Sequence, residues 1–199
     1  MMVAAYQKYL ESDTLGLTNA TQEIKSIIKE RGSESLQIDG HSRGTLTITN
    51  AYSSLLNDGD AGKYSNLRTN MVGAAANVKN ADDKLAELQG RNTGSYTEQQ
   101  KSDMSIHVQG HKSDFVHTVI GLNKSTGGEF SIGKMSGILG KTTVHNCYGV
   151  GSKDCFIKNY WNDGNPNNNI TIPNKDDKTI QIDVPQWIPL YPPSQEEPK

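Results

Sequence analysis

Apolar residues along this chain fall into short segments whose period switches between helix-like and strand-like. Residues 1–10 read as a short helix and 12–17 as a break. Thr18 stands where a helix N-cap belongs. Ile24, Ile27 and Ile28 then recur at helical spacing, and Lys29, Glu30 and Arg31 lead to Gly32 as a stop. The run 35–39 alternates like a strand and ends in Gly40-His41-Ser42-Arg43-Gly44. A second helix is expected over 45–56, burying Leu46, Ala51, Leu55 and Leu56, before an Asn/Asp/Gly loop at 57–62.

The small apolar run 71–76 reads as a buried strand. A helix is expected over 80–88, with Asn80 or Asp82 near its start, then a polar loop over 91–101 and a strand over 104–108. Residues 115–122 form a short apolar element, and the Gly- and Ser-rich stretch 123–140 reads as irregular. Helix and strand alternate, so the expected class is α/β with a parallel sheet and flanking helices over residues 1–161. Two alternating runs, 170–172 and 179–182, flank a turn with Asp176 and Asp177, giving a β-hairpin-like extension over 162–184. Residues 185–199 hold five prolines without periodicity and read as an extended tail.

With 199 residues the chain has room for one domain with a real core plus a tail. A net charge of −2 without a basic stripe argues against a general nucleic-acid binder. No run of eighteen apolar residues occurs, so no transmembrane helix is expected. The first ten residues lack the basic, apolar and small-residue parts of a signal peptide, so an export signal is expected outside this chain. Cys147 and Cys155 suit a local disulfide in an oxidising compartment, or two packed thiols in a reducing one. Neither a second thiol pair nor a close histidine pair accompanies them, so no zinc site and no cofactor are expected.

The chemistry concentrates at residues 40–44. In a Gly-x-Ser-x-Gly elbow a strand turns sharply into a helix and holds the serine hydroxyl exposed, with glycines where side chains would collide. Here Gly40 and Gly44 are those glycines, Ser42 is the candidate nucleophile, and the Arg43 amide is the candidate oxyanion donor. A serine alcohol needs a base, and in this architecture the partners follow in the order serine, acid, histidine. Asp114, a few residues past a strand, is the candidate acid; as a helix cap it would serve the 115–122 element instead. His41 adjoins the serine, with its ring expected to point away from the hydroxyl. His107 falls inside a strand, and His111 and His117 flank Asp114 too closely, which leaves His145 as the candidate base.

The run Gly40 to Thr47, with Asp114-Phe115-Val116-His117-Thr118-Val119-Ile120-Gly121 and Val144-His145-Asn146-Cys147-Tyr148-Gly149, resembles carboxyl-terminal regions of filamentous-haemagglutinin and CdiA-like exoproteins. Thr45 departs from the second glycine usual there. The resemblance implies a module of a secreted or surface-exposed bacterial exoprotein, adhesive or toxic, with an immunity protein or a target-cell surface as partner. It also implies an oxidising destination, which favours the Cys147–Cys155 disulfide. The order of elbow, small-residue strand, acid and histidine is similar to class 3 lipases, which implies an acyl-ester or lipid substrate. Only about forty residues precede Ser42, so the expected fold is a partial, N-terminally short α/β-hydrolase-like sheet, with upstream strands in a longer protein or lost. Two other readings compete with a serine hydrolase: a non-enzymatic adhesin or toxin-presentation module, and a nuclease toxin using His107, His111, His117 or His145.

Overall fold

The computed structural model describes residues 17–91, 94, 96–128, 130, 144–146, 148, 169–173, 179–183 and 188–190. Thr18 caps helix α1 (Asn19–Arg31), its side chain accepting from the Thr21 amide. Thr21 and Ile28 are buried, whereas Ile27 stays 38% exposed, so the apolar stripe is narrower than the isoleucine pattern implies. Strand β1 (Gln37–His41) runs two residues further than expected and delivers the chain directly to Ser42. Helix α2 (Gly44–Asn57) buries Ile48 and Tyr52 as well as Leu46, Ala51 and Leu55.

Strand β2 (Arg68–Val72) begins three residues before the apolar run expected there, and residues 73–76 lie beyond its end. Those small residues are buried because they pack beneath the loops above the sheet, not because they pair in it. Helix α3 (Val78–Gln89) starts two residues early, capped by Asn77, whose side chain accepts from the Asn80 amide. Helix α4 (Glu98–Met104) replaces the last part of the expected polar loop and the first residue of the strand expected after it, opened by a capping box between Thr97 and Gln100. Strand β3 (His107–Gln109) follows, then a π-helical turn at Val116–Ile120 and a 3-10 turn at Val144–Asn146. The two β-runs near the carboxyl end, β4 (Asn169–Pro173) and β5 (Thr179–Asp183), pair antiparallel. Strand β6 (Ile188–Pro189) lies within the proline-rich stretch and pairs with β3.

The class is mixed α/β. Strands β1, β2 and β3 are parallel neighbours and β6 adds an antiparallel edge, in the order β1-β2-β3-β6. One face of the sheet sends Ile38, Met71 and Val108 into a core shared with Ile28, Tyr52, Leu55, Leu85 and Leu88. On the other face Asp39, Asn70 and His107 align across the three parallel strands, and the Asn70 side chain donates to Asp39 at 2.8 Å. All three parallel strands point their carboxyl ends to one edge, the edge at which sites assemble in such sheets.

Candidate active site

Ser42 has φ = +54°, a left-handed conformation that a serine holds only when its surroundings over-determine it, at a cost of roughly 1–3 kcal/mol. Its amide donates to Val72 O at 3.1 Å. Its carbonyl accepts from the Thr45 amide at 3.1 Å, the Thr45 hydroxyl at 2.6 Å and the Ala75 amide at 3.3 Å. Gly40 sits in a tight space: a Cβ there would lie 2.7 Å from Ile48 Cδ1 and 3.2 Å from Thr45 Cγ2, so both side chains would have to give way. Gly44 does not, since a Cβ would meet nothing within 4 Å; the expectation that both glycines clear collisions holds for the first alone. The Arg43 amide opens α2, and neither it nor the Gly44 amide has an acceptor among the described residues.

Ser42, Asp114 and His145 are brought together from positions far apart in the chain. His145 Nε2 lies 2.6 Å from Ser42 Oγ, and His145 Nδ1 lies 3.1 and 3.0 Å from the two Asp114 oxygens. With Asp114 ionised, Nδ1 carries the ring proton and Nε2 is the acceptor that faces the serine hydroxyl. Asp114 is 1% exposed. Burial pushes its carboxyl up, but the hydrogen bond and charge of His145, the Tyr148 hydroxyl and the His117 amide outweigh it, and the net direction is down. The carboxylate also accepts from the Val116 amide at 2.9 Å and the His117 amide at 3.2 Å. It therefore caps the π-helical turn and partners His145 at once, so the two sequence alternatives for Asp114 coexist.

Two residues join the site without a predicted role. Tyr148 donates its hydroxyl to Asp114 Oδ2 at 2.8 Å and accepts from the His111 amide at 2.7 Å. Burial, then the Asp114 charge, raises its pKa well above the usual phenol value, so it stays a donor. The only sequence signal is its place three residues past His145 in the same segment. His41 does point away from the hydroxyl, but it is not idle. Its ring stacks on His145 with centroids 4.9 Å apart, and its Nε2–H donates to the His145 carbonyl at 2.9 Å. Desolvation lowers the His41 pKa, which favours the neutral ring.

The remaining histidines do not reach the serine. His111 and His117 are fully buried. His111 Nδ1 accepts from the Ser113 amide at 3.0 Å. His117 Nδ1 accepts from the Ala74 amide at 3.1 Å, and its Nε2–H donates to Lys124 O at 3.0 Å. His107 lies in β3, half-buried on the polar face of the sheet. Cys147 and Cys155 lie outside the described residues. Among the described residues no cluster of three or more His, Cys, Asp or Glu side chains could hold a metal ion, and no helix is long and apolar enough to cross a membrane.

A nucleophile, a base and a buried acid at these distances can abstract a proton from Ser42 and hold the resulting imidazolium. No protein-family model matches the chain, and no curated protein and no solved structure matches it either.

Proposed function

We propose that this chain is a serine ester hydrolase built on a partial α/β-hydrolase-like scaffold. The observation that carries the reading is the 2.6 Å contact from Ser42 Oγ to His145 Nε2, with Asp114 bonded to the far side of the same ring. Ser42 Oγ attacks an acyl carbonyl as His145 Nε2 takes its proton. The imidazolium, stabilised by Asp114, returns the proton to the departing alkoxide and leaves an acyl-serine ester. Water deprotonated by His145 then cleaves that ester, releasing the acid and restoring the serine. The Arg43 and Gly44 amides at the start of α2 are the donors nearest in sequence to the developing oxyanion. The amides of residues 73–76 are all committed elsewhere, to Gln109 O, His117 Nδ1, Ser42 O and Thr45 Oγ1. The exoprotein resemblance of the motif segments supports a setting as one module of a secreted or surface-exposed bacterial protein. An acyl ester or lipid is then the substrate, and an immunity protein or a target-cell surface the partner.

A fluorophosphonate probe tests the reading directly. Native protein is expected to be labelled at Ser42, with labelling lost in Ser42→Ala and slowed by roughly two orders of magnitude or more in His145→Ala. Folded native protein that stays unlabelled would refute the hydrolase reading and leave an adhesive or presenting module.

A further inference from the structure

A cavity of about 460 Å³ opens between the start of α3, strand β3, residues 122–126 and Leu190. That volume falls in the range of small-molecule sites. None of Ser42, Asp114 and His145 lines it. Its apolar walls are Val78, Val108, Leu122 and Leu190, and the ionisable side chains among its lining residues are Lys79 and Lys124, with no acid. Lys79 is paired with Asp83 on the surface of α3, whereas Lys124 has no acidic partner among the described residues.

Leu122 is the residue that makes this cavity more than a packing gap. It is 74% exposed, and its φ is +57°, in the left-handed region that residues with side chains rarely adopt. An exposed leucine and a left-handed leucine are each unfavourable, and here both occur at one residue on the cavity wall. Laxity does not explain it, because the chain is clamped before the exposed residue, where the Gly121 amide donates to Val116 O at 2.8 Å, and after it at Asn123 and Thr126. The Asn123 amide donates to His117 O at 3.1 Å. Its side chain donates to Ala74 O and Ala76 O at 3.2 and 2.9 Å, and accepts from the Val78 amide at 2.8 Å. At the other end the Thr126 amide donates to Gly110 O at 2.8 Å, and the Thr126 hydroxyl accepts from the Gly110 amide at 3.1 Å. Strain that the surroundings impose at an exposed position marks a feature held for use.

We infer that this cavity is a binding site, separate from the serine triad, for the apolar chain of an amphipathic anion whose head pairs with Lys124. The chain covers Val78, Val108 and Leu190 and removes Leu122 from water. The charged head stays at the solvent-facing lysine, so the site takes one end of the ligand dry and leaves the other wet. The inference does not depend on hydrolysis by Ser42, and it is tested in the Ser42→Ala chain so that turnover plays no part.

The test is a methyl NMR titration of the full-length Ser42→Ala protein with sodium octanoate below its micelle concentration, with 1-octanol as the uncharged comparison. Octanoate is expected to give saturable shifts at the Val78, Val108 and Leu122 methyls, and to bind more tightly than octanol. Leu122→Asp, at a solvent-facing position whose change does not threaten the core, is expected to weaken octanoate by roughly tenfold or more. Lys124→Gln is expected to bring octanoate down to the level of octanol. Shifts that do not saturate, or a Leu122→Asp protein that binds as tightly as its parent, would overturn the site. Equal binding of octanoate and octanol by the Ser42→Ala parent would overturn the anionic head.

Discussion

A methyl group at Gly73 would sit 2.8 Å from Tyr148 Cε2 and 3.0 Å from both Asp114 Oδ2 and His145 Nδ1. The backbone there has φ = +50°, so alanine is penalised twice, by strain and by pressure on the acid–base pair. Gly73→Ala is expected to fold yet lose at least roughly tenfold in Ser42 labelling rate, since small displacements of a catalytic pair are costly. Gly44→Ala is expected to label at the native rate and to be as stable or slightly more so, because its Cβ meets nothing and alanine favours the helix. Equal effects of the two substitutions would show that the strand exit beneath the pair is no more sensitive than the elbow. His117 gives a different kind of prediction. Its burial lowers its pKa, and its Nδ1 must stay unprotonated to accept from the Ala74 amide. The unfolded chain takes up that proton near pH 6.5 and the folded chain resists it. This contribution to stability is therefore complete above the unfolded value and is lost as pH falls below it. Melting temperature is expected to drop between about pH 7.5 and pH 5.5, and to drop less steeply in His117→Asn. Parallel slopes in the two proteins would remove His117 from the account.

At the scale of elements, a buried polar network joins α3 to the starts of β2 and β3. Arg91 donates to Asp82 Oδ1 at 2.8 Å, the same oxygen accepts from the Ile106 amide at 2.8 Å, and Arg91 Nε donates to Gln89 Oε1 at 2.6 Å. Gln89 in turn donates to the carbonyls of Leu67 and Met104. Asp82 and Arg91 are 2% and 7% exposed, so removing one partner strands the other in the interior. Asp82→Ala is expected to cost roughly 3–5 kcal/mol in urea unfolding, whereas a loss below about 1 kcal/mol would mean that water enters and satisfies Arg91. Nothing in the sequence marks Asp82 as a core residue: it reads there as part of a polar helix start. Helix α4 was legible but missed, because Thr97 and Gln100 spell a capping box while the composition of 91–101 reads as loop. The shift of β2 has another cause. Met71 and Val72 pair in the sheet, but Gly73, Ala74, Ala75 and Ala76 are small because the loops of the site press on them, and a hydrophobicity pattern does not separate the two reasons.

For the molecule as a whole, the site follows from three parallel strands leaving the sheet at one edge. Ser42 follows β1, Gly73 follows β2, and the loop holding Asp114 follows β3, so the place of Asp114 past a strand, with chain order and elimination among the histidines, was enough to single out the residues that meet Ser42. Tyr148 and His41 were not legible, because their contacts depend on how the His145 segment crosses above those strand ends. The far side of the sheet was hidden for a compositional reason. Residues 185–199 show only Trp, Ile, Leu and Tyr as apolar side chains scattered among prolines, without a period, yet Ile188 and Pro189 pair with Val108 and His107. Proline brings no N–H to a ladder, which suits an outermost strand. Beyond the strand the Leu190 amide donates to Ile106 O at 2.9 Å and its half-buried side chain packs on the core. If that closure stabilises the fold, Leu190→Ala lowers stability by roughly 1–2 kcal/mol, mostly as lost apolar burial. A chain ending at Asp183 then loses more, because the β6 ladder goes as well. Both effects are read from urea midpoints with the slope held similar to that of the native chain. The proposed triad draws no residue from β6, so the rate of Ser42 labelling in the folded Leu190→Ala protein is expected to match the native rate. An unchanged midpoint in both variants would show that the carboxyl-terminal strand rests on the sheet without supporting it.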